Sequence, residues 1–218
     1  MDPSRLPIDA LGGEPAIDPV FLTAESLRAR FARLRLAWEP ETPDESWVTP
    51  GFKLRRAAVL IPIVERPDGL SVLLTLRTDH LSSHAGQIAF PGGRAEELDS
   101  SPIETALRES EEEIGLHRRH VSIVGVLPDY VTGSAYRVAP VVALVQPPFD
   151  LIADPNEVAE IFEVPLAFLM NGMHHQRMSV DLPEGKGRRS FYAMPYERFF
   201  IWGATAGMLR NLFHFLRA

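Results

Sequence analysis

The sequence predicts a mixed α+β domain, and three observations carry that reading. Short runs rich in Val, Ile and Leu recur from Ala57 onward, bounded by Pro, Gly and Asp, as strands are. A central segment, Ser101 to Gly115, has the start and stop signals of a helix. The C-terminal stretch from Gly203 sets Ala, Met, Leu and Phe at helical spacing. Strands interrupted by a few helices point to α+β rather than to a regular alternation.

Residues 1 to about 20 are rich in Pro, Gly and Asp and read as a loose arm. "TAESLRARFARLRLAW" places Leu27, Phe31, Leu34 and Leu36 at roughly helical spacing among arginines, which predicts an amphipathic helix capped by Thr23 or Ser26. "EPETPDESWVTPG", Glu39 to Gly51, is a linker by composition. The chain thus divides into an N-terminal arm and helix, residues 1–50, and a main domain, residues 51–218. In the main domain "AAVLIPIV" and "SVLLTLR" predict two strands joined through the turn "ERPDGL". "QIAFPGG" is a short strand that breaks into a glycine pair. In the helix that follows, Ser101 is the candidate N-cap and Pro102 suits the first helical position. Glu104 completes a capping box, and Gly115 is the stop. "HVSIVGVLPDYV" and "YRVAPVVALVQ" read as further strands, and "NEVAEIFEVPL" as a strand leading to a short helix near "AFLMNG". "QRMSVDL" and "RRSFYAMPY" suit a hairpin around "PEGKGRR", and "GATAGMLRNLFHFLRA" suits a docked C-terminal helix.

At 218 residues, 45% hydrophobic and 23% charged, the chain can bury one real core. Its net charge of -7 argues against non-specific nucleic-acid binding, which rests on Lys and Arg against phosphates. A small anionic ligand stays compatible, because a basic pocket or a bound cation reverses the field locally. With no cysteine, disulfides, thiolate zinc sites and cysteine nucleophiles are excluded. No apolar run approaches the ~20 residues needed to span a bilayer, and the N-terminus lacks the pattern of a signal peptide. A soluble, cytoplasmic protein with no nucleic-acid or membrane partner is expected. The sequence leaves a homodimer open.

The segment "RESEEEIGL", Arg108 to Leu116, crowds like charges at helical neighbour positions, which ordinarily destabilises a helix. At ~100° per residue, Glu109, Glu112 and Glu113 fall on one face. Ile103, Leu107 and Ile114 form a separate apolar stripe. The arrangement predicts a docked side and an outward carboxylate side, with Glu111 turned away to water. A solvated charged face is the plain reading. Clustered carboxylates are also what a hard cation shared with substrate phosphates requires.

The surrounding "AGQIAFPGGRAEELDSSPIETALRESEEEIGL" resembles the Nudix box, Gly-x5-Glu-x7-Arg-Glu-x2-Glu-Glu-x-Gly followed by an apolar residue. Gly93, Arg108, Glu109, Glu112, Glu113, Gly115 and Leu116 match. Asp99 stands where the first Glu is expected, with a spacing to Arg108 one residue longer than the pattern, and Ser110 replaces an apolar residue. The resemblance implies the Nudix fold, an α/β/α sandwich of mixed sheet with a strand-loop-helix catalytic motif. It implies hydrolysis of a nucleoside diphosphate linked to another group, with Mg²⁺ or Mn²⁺. It makes Glu109, Glu112 and Glu113 metal ligands, with the Gly93 carbonyl a further donor, and it has Arg108 orient a glutamate of the box. Gly92 and Gly93 let backbone approach the site closely.

Upstream, "LLTLRTDHLSSHAGQIAFPGG" resembles the signature of the coenzyme A pyrophosphatase branch, through Leu73, Leu74, Thr75, Gly86, Phe90, Pro91, Gly92 and Gly93. Ser82 departs from it, standing where a basic residue is usual. "GVLPDYVTGSAYRVAPVVALV" and "FFIWGATAGML" look like the same branch. The resemblance implies coenzyme A or acyl-CoA as substrate, split to 3′,5′-ADP and (acyl-)4′-phosphopantetheine. Another ADP-linked pyrophosphate such as ADP-ribose or NADH is the alternative, and a non-catalytic ligand sensor the alternative of another class. Arg56, Arg77, Arg94 and Arg137 are candidates for the 3′-phosphate, Arg77 first; a solvated surface role competes for each. Gly86, Phe90, Gly92 and Gly93 complete the expected substrate contacts. His84 is either a loop histidine or a phosphate contact. His174 and His175 look like a metal pair, but adjacent residues rarely converge, and an exposed loop is expected. In "DPNEVAEIFEV", Glu157 is the candidate for a further metal ligand or general base, against a solvated loop role, and Glu163 belongs within a strand.

Overall fold

The computed structural model describes residues 3–33, 38–41, 54–81, 84–181 and 187–218. Leu34, Leu36, Ser82, most of the predicted linker and the tip of the C-terminal hairpin lie outside them. The long strands β2 (Arg55–Arg66) and β3 (Gly69–Arg77) pair antiparallel, Arg66 opposite Gly69, so "ERPDGL" forms the expected tight hairpin. β2 also pairs in parallel with β8 (Tyr136–Val145) from Arg55 beside Tyr136 to Val64 beside Val145. Short β4 (Ile88–Ala89) and β5 (Gly92–Arg94) join β3 and β2, and β6 (Val121–Val126) and β7 (Tyr130–Val131) join β8. β9 (Val158–Pro165) lies antiparallel to β3. The result is a mixed eight-stranded sheet.

Both faces of β2 are buried, so the strand reads as a continuous apolar run. Ala58, Leu60 and Val64 face helix α2 (Pro102–Ile114), packing with Ala106, Ile114 and Leu116. Ile61 and Ile63 face the larger core. There α1 (Ala24–Phe31) inserts Leu27, and α3 (Leu166–Leu169) adds Leu166 and Leu169. The C-terminal helix α4 (Gly203–Arg217) contributes Met208, Leu209, Leu212 and Phe213. The expected α/β/α layering is therefore present. Thr23 is the N-cap of α1, accepting from the Ser26 N–H at 3.1 Å. No helix among the described residues is long and apolar enough to cross a membrane.

A second sheet of four strands stands beside the first. β10 (Gln176–Asp181) and β11 (Arg188–Tyr196) form the predicted hairpin, flanked by β12 (Phe199–Trp202). Its other edge is β1 (Ile8–Leu11), which corrects the loose-arm expectation. Composition alone misread this segment because its pairing partner is far away in the chain. Gly12 continues the attachment by donating to the His175 carbonyl at 2.7 Å.

Candidate active site

Helix α2 is punctuated as its sequence requires. The Ser101 hydroxyl accepts from the Glu104 N–H at 3.3 Å, and Gly115 ends the helix in the left-handed region at φ 67°. The capping box is only half made, since the Glu104 carboxylate turns to Arg118 at 3.0 Å. Glu111 takes the same partner. It accepts from the Arg118 N–H at 2.9 Å and from the guanidinium at 3.1 Å, so it anchors the turn after the helix rather than facing water. Ser110, the polar residue at an apolar position, is buried and returns its hydroxyl to the Ala106 carbonyl at 2.7 Å.

The three remaining glutamates are not equivalent. Glu113 is 4% exposed, which corrects the expectation of an outward face. Its Oε2 accepts from the Gly92 N–H at 3.1 Å and its Oε1 lies 3.5 Å from Arg77 Nη1. Burial pushes the Glu113 carboxyl up to about 8, and Glu157 and Glu109 push the same way, while Gly92 and Arg77 oppose them. Burial likewise raises Glu109, helped by Glu112 and Glu157 and opposed by Arg108. Glu112 is the exposed member, with 59% of its side chain accessible. One Arg108 nitrogen, Nη1, reaches both Glu109 and Glu112 at 2.9 Å.

Close approach requires glycine at both positions of the pair. A Cβ on Gly93 would sit 2.5 Å from the Glu109 carboxylate, and one on Gly92 would sit 2.5 Å from the Ala58 carbonyl. Only a bare backbone fits between strand and carboxylate. Across the site Glu157, half exposed, brings Oε2 to 3.8 Å from Arg77 Nη2. Its backbone is fixed because the Glu157 carbonyl accepts from the Thr78 N–H at 3.0 Å, holding the turn before β9 to the end of β3.

A divalent cation suits this donor set. Carboxylates from one helix and one loop raise each other's pKa by burial and repulsion, and a cation removes both penalties. Among the described residues no three acidic or histidine side chains close on a single point as they stand. A cation must therefore compete with Arg108 for Glu109 and Glu112.

Other expected contacts are distributed differently. Arg77 lies between Glu113 and Glu157, at the inner end of the site. Phe90 is 3% exposed and packs in the larger core, so its side chain is a core element and not a substrate contact. His84 is exposed, at φ 58°, with Nδ1 2.8 Å from Gln87 Oε1, which favours the loop reading. Gly86 holds φ 65° beside Asp79 and serves the loop's backbone. His174 and His175 diverge, as adjacent residues should, but of their segment only Met173 is exposed. His175 is buried, Nε2 donating to the Leu169 carbonyl at 2.7 Å, and His174 Nδ1 lies 2.9 Å from the Phe168 carbonyl. Glu163 lies in β9 as expected, paired with Arg66.

Asp99, the displaced acid of the box, has a positioning place in the site. Asp99 receives Arg108 in a fork, Nε to Oδ1 at 3.1 Å and Nη2 to Oδ2 at 3.0 Å. Its Oδ2 also accepts from Thr105 and from the Glu96 N–H, each at 2.9 Å. Arg108 and these hydrogen bonds hold its carboxyl well below the usual range. The displaced acidic residue of the box thus positions Arg108, which in turn holds Glu109 and Glu112. The only sequence signal was an acid of the right sign in a loop of the wrong length.

The NUDIX domain family model matches residues 54–180. A protein of Escherichia coli K12, Nudix hydrolase NudL, described as uncharacterized, is 40% identical over 192 residues, covering 88% of this chain and 93% of that one. A protein of Shigella boydii with the same name matches equally. Among solved structures, a MutT/nudix family protein from Enterococcus faecalis aligns with TM-score 0.47 and 16% identity, covering 87% of this chain and 73% of that chain. A C. elegans Ap4A hydrolase aligns with TM-score 0.45 and 17% identity, covering 50% and 80%.

Proposed function

This chain belongs to the Nudix hydrolase family, and from that premise we propose that it hydrolyses coenzyme A or an acyl-CoA at the pyrophosphate. The products are 3′,5′-ADP and (acyl-)4′-phosphopantetheine. The observation that carries the hydrolase reading is the meeting of Glu109, Glu112 and Glu113 from α2 with Arg77 and Glu157 from the sheet edge, against a glycine backbone. The coenzyme A reading draws on the Leu73–Gly93 stretch and its likeness to that branch.

Glu109, Glu112 and Glu113 would hold Mg²⁺ or Mn²⁺, with the Gly93 carbonyl a further donor and Glu157 either a fourth carboxylate or the general base. Such an ion would supply neutralisation of the pyrophosphate and acidification of water. The chain's own groups do the rest. Arg77 has a buried Nε without a partner and stretched contacts to two carboxylates, so it has capacity left for a phosphate oxygen. Where Glu157 is not a ligand, its half-exposed carboxylate at the mouth would take the proton of the attacking water. Asp99 keeps Arg108 in position, so the glutamates are set before the substrate arrives.

A panel of coenzyme A, acyl-CoA, ADP-ribose and NADH with Mg²⁺ and Mn²⁺, products identified by mass, tests the assignment. Coenzyme A or acyl-CoA should be cleaved fastest. Faster cleavage of ADP-ribose or NADH overturns the substrate, and no cleavage of any overturns the hydrolase.

A further inference from the structure

Arg108 divides its donors between two kinds of partner. A guanidinium offers five N–H donors and no acceptor. Nε and Nη2 form the fork on Asp99, at 3.1 and 3.0 Å, and Nη2 also donates to the Arg94 carbonyl at 3.2 Å. Nη1 reaches Glu112 and Glu109, each at 2.9 Å. The first group ties the arginine to a loop and a backbone. The second ties it only to carboxylates that suit a cation.

The two groups are separable. The Asp99 side chain is 7% exposed and is fixed in its own right by Thr105 and the Glu96 N–H, each at 2.9 Å. Its grip on Nε and Nη2 does not pass through the glutamates. Nη1 can therefore lose both of its partners while the guanidinium stays in place. Glu113 stands outside this exchange, since its polar partners are the Gly92 N–H and Arg77.

A bare dication that took Glu109 and Glu112 would leave Nη1 with two unmatched donors and a like charge beside it. Stranded donors and like charges both oppose binding. A phosphate brought by the same cation removes the penalty, because its oxygens accept from a guanidinium as carboxylates do. The geometry thus opposes a free ion and tolerates one that arrives on a phosphate.

We infer that Arg108 is an exchangeable counter-ion. It neutralises Glu109 and Glu112, yields them to a divalent cation carried on the pyrophosphate, and passes its Nη1 donors to a phosphate oxygen. The inference rests on the metal-dependent hydrolase reading and is independent of which pyrophosphate is the substrate. It adds a substrate contact to the positioning role of Arg108, and it makes Asp99 the anchor that keeps the arginine within reach.

The test is Mn²⁺ binding to the full chain, followed by the electron paramagnetic resonance of the free ion. Bare Mn²⁺ is compared with its complex with methylenediphosphonate, a pyrophosphate analogue whose P–C–P link resists hydrolysis. Arg108→Gln should bind bare Mn²⁺ at least about tenfold more tightly than wild type, the size of one charge-assisted hydrogen bond. Its affinity for the complex should stay near wild type, because the glutamate bonds it no longer has to break offset the phosphate bonds it cannot make. Arg108→Lys keeps the charge beside Asp99, but one ammonium cannot span Asp99 and both glutamates, so it should follow the Gln variant. The Lys variant alone decides the matter if the Gln variant does not fold. Bare Mn²⁺ bound no more tightly by either variant means that Arg108 only orients the glutamates, and the exchange is overturned. Tightening in the Gln variant that the Lys variant lacks is an effect of charge alone and also overturns it. Bare ion and complex tightening together means that no phosphate takes the Nη1 donors, and the transfer fails. A wild type that binds both forms of Mn²⁺ keeps the metal site through each of these outcomes. A wild type that binds neither overturns the hydrolase reading and the exchange with it.

Discussion

Two arginine–carboxylate clusters sit on opposite sides of the main sheet's architecture, and they are finished to different degrees. Arg210 on α4 is 4% exposed and uses all its nitrogens. It binds Glu14 through two nitrogens at 2.5 and 2.9 Å, Glu41 at 3.1 Å and the His175 ring at 3.0 Å. It ties the N-terminal arm, the segment before β10 and the C-terminal helix into one unit. Arg77 instead has contacts of 3.5 and 3.8 Å and a buried Nε with no partner. Its neighbours Glu109 and Glu113 are held with raised pKa values. The closed cluster needs nothing more. The open one keeps unspent hydrogen-bonding capacity and raised carboxyl pKa values, so on the proposed function stability belongs to the first and chemistry to the second.

The sharpest way to break this comparison is Arg210→Met. Removing the buried arginine strands Glu14 and leaves Glu41 only His214 at 2.9 Å and Tyr192, a loss of up to about 3–5 kcal/mol. For a chain of this length that is a drop in Tm of roughly 6–20 °C. Turnover per folded molecule should change little. A normal Tm, or a loss of activity without a loss of stability, would show that the Arg210 cluster is not structural.

Glu112→Gln should do the reverse. The side chain is exposed and its removal disturbs no core contact, so the melting curve should stay close to wild type. Even partners outside the first ligand shell are worth about 10–100-fold in metal sites, so a ligand should cost more than about 100-fold in turnover. Turnover like wild type under saturating Mg²⁺ removes Glu112 from the site and with it the metal assignment.

What the sequence made legible follows the same divide between local and distant contacts. The Ser101 cap, the Gly115 stop, the β2–β3 hairpin and the face shared by Glu109 and Glu113 all depend on neighbours within a few residues. Each was readable from spacing. The Arg210 cluster was not, because Glu14 and Glu41 lie 196 and 169 residues from it in the chain. For the same reason a Pro- and Gly-rich arm looked loose and "MHHQ" looked exposed. Composition reports local conformational preference, whereas β1 and His175 are held by tertiary partners. In the site, spacing placed the glutamates on one face but not the depth of that face. That depth is set by Gly92 and Gly93 on a neighbouring strand, which is why Glu113 proved buried.

The smallest effect is also the most discriminating, because the two clusters respond to pH with opposite sign. Arg210 Nη1 can only donate, so His175 Nδ1 accepts, and the neutral ring carries its proton on Nε2 toward Leu169. Burial, and then the Arg210 charge, lower His175 from the ordinary 6.5 to about 4. Between those values the unfolded chain binds a proton the native one refuses, so this group's contribution falls as pH drops through that window. Glu113 runs the other way. Its pKa rises from the ordinary 4.5 to about 8, so the native state keeps a proton the unfolded chain has lost, and its contribution falls as pH rises from 4.5 to 8. With EDTA present, urea unfolding of wild type should show the two slopes partly cancelling between pH 4.5 and 6.5. His175→Gln should remove the acid-side loss and Glu113→Gln the alkaline-side loss, each with a slope of at most about 1.4 kcal/mol per pH unit inside its window. If either variant keeps the wild-type slope, that residue is not the titrating group. If Mg²⁺ fails to stabilise wild type more at pH 8 than at pH 5, Glu113 does not face the cation, because a ligand carboxylate binds its ion best when deprotonated.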